Sequence, residues 1–493
     1  VSRLRETIRQ RLADETGRIT KEAPFTVALA YPSPYAAAMS SLGFQCIYRA
    51  IMEAPNMACE RAFLDDHADT GQASQERPIT YESRTPIDAF PVVLVSVAYE
   101  LEIAGLVRLL EAADIPVKRA LRDERHPFLL AGGPLTFSNP LPLAGIVDAV
   151  VVGEAEGLII EVLAVLESTR SRAKQLDALA KMPHVFVPER HGARLPTVAK
   201  ADDALLPAWA PIRTPHAVLS DMFLIETERG CSRGCTYCVM RRSTNGGMRL
   251  VPMETILGLV PDSARRVGLV GAAVSDHPHI ARIVATLADQ GREVGLSSLR
   301  PDRLNDALVS ALKRAGTRTL TTAMDGPSER LRDSLERKAH ERHLVRSAEL
   351  ARHHGMDRLK LYLMIGLPSE TEADIDECVR FATELSKIIP LSLGIAPFCS
   401  KRNTPLHGLP FAGIDVVNAR LDRLKRGLQG RVDVRSTSAK WAWVEHVLAQ
   451  GGEAEGLAVI DAVHAGAGFG AYRKAFAALP ARASVRHLAL AAV

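Results

Sequence analysis

Three cysteines stand close together in the run Cys231-Ser-Arg-Gly-Cys235-Thr-Tyr-Cys238, entered through Glu228-Arg229-Gly230. Three thiolates can hold three irons of a 4Fe-4S cube and leave the fourth iron without a protein ligand, whereas an electron-transfer cluster takes four cysteines. An open coordination position is a place for chemistry. Zinc would require a fourth ligand from a second cysteine pair or a nearby histidine, and no such set follows. Disulfide bonding is disfavoured between cysteines this close in a chain with no export signal.

The run resembles the C-x3-C-x-aromatic-C signature of radical S-adenosylmethionine (radical SAM) enzymes. The resemblance implies that Cys231, Cys235 and Cys238 are the cluster ligands and the catalytic residues. It also implies that the methionyl amino and carboxylate groups of SAM occupy the open iron, and that the reduced cluster cleaves the sulfonium to methionine and a 5′-deoxyadenosyl radical. Tyr237 is then the aromatic residue beside cluster and adenine, and a reductant such as flavodoxin or ferredoxin is an expected partner.

The elements that must position this loop are legible around it. The chain has 493 residues, enough for two to four domains, and 47% of them are hydrophobic, ample for large cores. A net charge of +4 from 61 basic and 57 acidic residues marks no nucleic-acid partner or anionic membrane. The first ten residues carry no apolar run of signal-peptide length, and charge interrupts every long apolar stretch before spanning length. A cytoplasmic protein without a membrane span is expected. Cys46, Cys59, Cys378 and Cys399 lie singly, as reduced thiols do.

Residues 1–24 read as a helical arm with Leu4, Ile8 and Leu12 at four-residue spacing. From 25 to 181, short apolar runs at Phe25–Tyr31, Ala62–Leu64, Val92–Val97, Phe128–Ala131 and Val147–Val152 alternate with helix-length segments. That alternation argues for a parallel, doubly wound, Rossmann-like sheet, in which ligands bind beyond the carboxyl ends of the strands. Gly132-Gly133-Pro134 and Gly153-Glu154 fall at those ends. Their glycines suit a close ligand approach and equally a tight turn.

This segment resembles the cobalamin-binding domain that precedes the barrel in one class of radical SAM enzymes. The resemblance implies that cobalamin lies over the strand ends, touched by Tyr31, Ser33, Ser96, Gly132, Gly133, Pro134, Gly153 and Glu154. The D-x-H-x-x-G motif that supplies a lower axial histidine in many cobalamin proteins is missing after the first strand. Asp65-Asp66-His67 begins a near match after the wrong strand, and reads as a solvated loop.

Residues 182–215 contain six prolines and read as a linker. From 216 to 412, six strands are expected at Phe223–Glu226, Val267–Val270, Val294–Ser297, Arg318–Thr322, Leu359–Ile365 and Leu391–Ala396, each followed by a turn and most by a helix. Six units are fewer than the eight of a closed barrel. They suit the open (βα)6 partial TIM barrel of the radical SAM core. In the resemblance, the turns carry SAM contacts at Gly271, Ser298, Arg300, Asp325, Ser328 and Arg330, with Pro397 and Phe398 bordering adenine. Asp276 and His277 suit acid–base work or a helix cap, and Cys399 reads as a small buried residue. Residues 413–493 read as a helical C-terminal region whose aromatics are mainly core.

The fold class expected is therefore α/β: a Rossmann-like cobalamin-binding domain, an open radical SAM barrel and a helical tail. The function expected is reductive SAM cleavage, in a cobalamin-dependent methyltransferase acting on an unactivated carbon of a small-molecule or natural-product substrate. A rearrangement, cyclisation or redox enzyme with cobalamin in another role or absent is the alternative, and an iron-sulfur sensor or scaffold the alternative of another class.

Overall fold

The computed structural model describes residues 3–66, 76–240, 247–297 and 299–480. Ser298 and His67 lie outside the described residues. No helix among them is long and apolar enough to cross a membrane.

Six strands form the first sheet: β1 (Phe25–Pro34), β2 (Met57–Leu64), β3 (Val92–Ser96), β4 (Phe128–Gly132), β5 (Ala149–Val151) and β6 (Val185–Phe186). Their order is β2-β1-β3-β4-β5-β6. All neighbours are parallel except β5 and β6, which are antiparallel. The strands are short and apolar on both sides because helices cover both faces. One face packs Ile8 of the arm with Phe44, Tyr48 and Val162. The arm is also held by a buried ion pair, Glu15 to Arg61, 2.8 Å.

The proline-rich stretch is more than a connector. Its residues Val185–Phe186 are β6, and Trp209 forms an antiparallel bridge with Ile225 in the next sheet. Proline density signalled irregular backbone there, and the pairing depends on distant partners.

All six later strands are present: β7 (Met222–Glu226), β10 (Arg266–Val270), β11 (Glu293–Leu296), β12 (Thr319–Asp325), β13 (Arg358–Ile365) and β14 (Leu391–Pro397). Between the first two, β8 (Glu228–Gly230) and β9 (Met248–Leu250) make an antiparallel hairpin that carries the cysteine run. The larger strands form parallel sheets ordered β11-β10-β7 and β12-β13-β14-β15, and Leu299 bridges the two through Thr322. The strand β15 (Asp433–Ser436) corrects the reading of a purely helical C-terminal region. Its four residues are too few to show strand alternation, and only pairing with β14 defines them.

Helices Ala439–Gln450, Glu453–His464 and Phe469–Ala477 return to the first sheet. Val444, Leu448, Val459, Ile460 and Tyr472 join a core with Leu106, Leu110, Leu129 and Val150. Trp443, Phe469 and Phe476 pack at its edge, as core aromatics do. Gly456 permits the approach, since a Cβ there would meet Pro142 O at 1.7 Å. Buried Asn139 fastens the helix end: its Nδ2 donates to Ala449 O at 3.0 Å and Gly451 O at 2.8 Å. Asn139→Ala strips these carbonyls of a donor and should lower stability by about 2 kcal/mol. The check is the urea midpoint, which should fall; an unchanged midpoint would show that the tail is held elsewhere.

Candidate active site

The hairpin sets the cysteine loop beside the turns that follow the parallel strands. Cys231 N donates to Gly247 O at 3.1 Å, Cys238 N to Cys235 O at 3.2 Å, and Thr236 N to Leu335 O at 3.1 Å. All three thiols are half-buried. Burial raises the Cys235 and Cys238 thiols, with Arg337 opposing the shift at Cys235. Among the described residues, the one group of three His, Cys, Asp or Glu with ligand atoms within 4.8 Å of one another is Asp306, His353 and His354. The three cysteine sulfurs therefore do not all lie within 4.8 Å of one another.

Several expected residues meet in one place. Tyr237 packs against Leu331, Leu335, Leu367 and Phe398. Burial raises its phenol well above the ordinary value, and the Asp325 charge adds to this. Asp325 is ion-paired with Arg337 and has a left-handed backbone, φ 66°. Pro397 is buried at the end of β14, and Phe398 N donates to Ile365 O at 2.8 Å.

Other expected contacts are directed to protein partners. The Arg300 guanidinium binds Asp276 and Asp302, each at 2.8 Å. Asp302 also takes Arg233 of the cysteine loop at 2.8 Å, so this network clamps the loop. Ser328 is fully buried, caps the helix Glu329–Ser334 and donates to Asp374 at 2.6 Å. Arg330 binds the same carboxylate at 2.6 Å. Gly271 makes room for Glu228, whose Oε1 would lie 2.0 Å from a Cβ at that position. His277 is buried against Val251 O at 2.9 Å and accepts from His279 N at 3.2 Å, in the turn before the helix Ile280–Asp289, which has no side-chain cap. The Cys399 thiol donates to Ala442 O at 3.1 Å.

A cavity of about 380 Å³ opens between the first sheet and the cysteine loop. One wall is Ser96, Gly132, Gly133, Pro134, Gly153 and Glu154; the opposite wall includes Arg229, Val239 and Met240. Tyr31 and Ser33 stand outside it. Tyr31 meets Phe44 edge-on at 5.5 Å, and Ser33 donates to Glu102 at 3.1 Å. Gly132 has no atom within 4 Å of a prospective Cβ, which leaves its backbone open to a ligand. Gly133 and Gly153 are required by the fold itself: both have positive φ, and a Cβ on either would lie 2.6 Å from protein atoms.

Of the residues that hold the two walls together, only Glu154 was singled out in the sequence, as a ligand contact. Arg229 binds Glu226 at 2.7 Å, Glu156 at 2.7 Å and Glu154 at 3.2 Å, and Arg249 of β9 binds Glu154 at 2.5 Å. Burial opposes the Arg229 charge, yet these carboxylates hold its pKa above the ordinary value. Glu154 thus points to the hairpin. Position beside a cysteine was the one available signal for Arg229; its partners are distant in sequence.

Glu228 is buried and accepts from Thr227 Oγ1 and, at 2.8 Å, from Ala273 N. Burial pushes its carboxyl up to about 7 from 4.5. Between those values the folded protein keeps a proton that the unfolded chain has released, so stability falls as pH rises through this window and stays reduced above it. Glu228→Gln removes the loss. From pH 4.5 to pH 7.5 the variant should gain on the parent by up to roughly 3 kcal/mol. Urea midpoints across that range test this, and a pH-independent difference would contradict it.

With this geometry in view, comparison with known proteins is informative. The chain is similar over 389 residues to the uncharacterized protein MJ0966 of Methanocaldococcus jannaschii, at 25% identity covering 77% of this chain and 78% of that one. It is similar over 221 residues to a ribosomal protein uS12 methylthiotransferase of Anaeromyxobacter sp., at 28% identity, covering 41% of this chain and 45% of that one. Among solved structures, it resembles the cobalamin-dependent S-adenosylmethionine radical enzyme OxsB with aqua-cobalamin and S-adenosylmethionine bound. That likeness has 12% identity and a TM-score of 0.50, covering 83% of this chain and 56% of that one. The apo form gives 12% and 0.51, covering 73% and 52%. This chain spans little more than half of those solved chains, and such identity speaks for fold alone. Family models match in two blocks, "Radical SAM proteins, N-terminal" over residues 43–188 and "Radical SAM superfamily" over residues 225–382. The cysteine hairpin lies inside the second matched block, and the opposite cavity wall lies inside the first.

Proposed function

We propose that this radical SAM protein is a cobalamin-dependent methyltransferase acting on an unactivated carbon, built as an open six-unit barrel behind a cobalamin-binding domain. The observation that carries the reading is the shared cavity, walled by strand ends of the first sheet and by Val239 and Met240 directly after Cys238. A bound 4Fe-4S cluster would supply the electron that cleaves SAM, and a bound cobalamin the methyl group for the substrate carbon. Cys231, Cys235 and Cys238 would hold the cluster. Tyr237 and Phe398, already packed together, would border the nucleoside beside it.

Ser96 and the open backbone of Gly132 are the chain's polar and close-approach groups for a corrin edge. Glu154 and Arg229 fix the distance between the walls, and a fixed distance is what transfer between two cofactors requires. The likeness to the cobalamin-dependent enzyme OxsB supports the same arrangement at the level of fold.

One observation favours a second reading, in which the first domain is a scaffold and the radical chemistry is a rearrangement or redox step. Among the described residues the cavity lining contains no histidine, and two of its glycines serve the fold. Anaerobic reconstitution with iron and sulfide, with and without cobalamin, separates the readings. Deoxyadenosine formation after reduction is expected, with one cobalamin retained per chain, and Cys235→Ala should abolish the deoxyadenosine. Deoxyadenosine without retained cobalamin would remove the methyltransferase reading, and turnover by Cys235→Ala would remove the radical one.

A further inference from the structure

Strands β12 to β15 bury alternate residues against helices: Leu320, then Leu359, Leu361, Leu363 and Ile365, then Leu393 and Ile395. The residues between them face the other way, because side chains alternate across a strand. Parallel register sets these in rows. Ala323, Tyr362, Gly394 and Arg435 form one row, and Thr321, Lys360, Ser392 and Asp433 the row beside it.

This second face has unusual contents for a protein interior. Tyr362 is 41% exposed. Its ring lies over Gly394, since a Cβ there would meet ring carbons at 2.7 Å. Lys360 Nζ stands 4.7 Å from the same ring centroid, a cation over an aromatic face. No ion-pair partner for Lys360 is found among the described residues, whereas most arginines nearby have one. Arg435 is exposed and bonded at 3.1 Å to Asp433, which also faces Arg358 at 3.4 Å. Small residues, Ala323 and Ala396, flank the tyrosine and leave space above it.

The face leads directly to the cysteine loop. Met364, two residues along β13 from Tyr362, packs in the cluster that contains Tyr237. Two residues of strand are about 6.6 Å. A molecule resting on Tyr362 would therefore lie one side-chain row from Met364, which packs on the same apolar cluster as Tyr237.

We propose that this face seats the substrate, and that the substrate carries a planar unsaturated group, laid on Tyr362, with a carboxylate or phosphate held by Lys360. The inference rests on the radical SAM reading for the purpose of the site, but its chemistry is tested by binding alone. An anion is selected because Lys360 has no ion-pair partner among the described residues, and a planar group because the exposed ring has only small neighbours.

Benzoate, phenyl phosphate and neutral benzyl alcohol are titrated into the full-length, cluster-reconstituted protein and followed by saturation-transfer NMR. At least one anion should bind tenfold or more tightly than benzyl alcohol, and the stronger of the two identifies carboxylate or phosphate. Lys360→Met and Tyr362→Leu should each weaken it at least tenfold, while Lys360→Arg retains most of the binding. A urea midpoint of Lys360→Met equal to the parent's shows that its loss of binding is not misfolding. Anions that bind no better than benzyl alcohol, or equally to Lys360→Met, would overturn the proposal. Parent protein that binds the anion but forms no deoxyadenosine would overturn the radical reading and leave the anion seat standing.

Discussion

The arrangement depends on a buried cluster of charges where the first sheet meets the cysteine hairpin. Glu154 leaves the loop after β5, Arg229 and Arg249 stand on paired strands of the hairpin, and Glu156 and Glu226 complete the set. Such groups gain little net stability over an apolar contact, because each loses its hydration. What they supply is position: a buried arginine shared by three carboxylates tolerates few alternative geometries. Arg229 lies two residues before Cys231, so the cluster loop inherits that constraint directly.

A second set of bonds fixes the same loop from its other side. Arg233 reaches Asp302, Asp302 reaches Arg300, and Arg300 reaches Asp276, joining the loop to the turns after β10 and β11. Ser328 and Arg330 do the same one unit further round by binding Asp374 at the start of the helix Glu372–Ser386. These polar residues stand at the strand ends bound to protein partners. They hold the turns whose backbone and aromatic groups surround Tyr237.

That distinction explains what could be read from the chain. Periodicity located five strands of the first sheet and six of the second region, because each is an apolar run bounded by turn residues. The cysteines were legible because three ligands in eight residues have few other uses. The roles of Arg300, Ser328, Arg330 and Glu154 were not legible: a polar residue at a strand end looks the same whether its partner is a ligand or a side chain 24 to 95 residues away. The segments β6 and β15 were hidden for a related reason, since strands of two and four residues exist only through their partners.

The C-terminal helices show why sequence order and spatial order diverge. A sheet of six strands has two faces, and the arm with helices Leu42–Glu53 and Leu158–Ser168 covers one of them. On the other face the first domain supplies the helix Glu102–Ala112, too little to bury Leu129, Val150 and Phe186. The tail fills the remainder, and in doing so must pass the end of β14. There Lys401 binds Glu100 of the first domain and Glu445 of the tail, both at 2.7 Å. Buried charges thus join the first sheet to the later strands in two places, through Glu154 and through Glu100, with hydrophobic burial of the tail beside the second. A chain that must keep two strand-end surfaces facing each other gains from closing its last helices over its first sheet, because relative rotation of the domains would then expose apolar surface as well as break ion pairs.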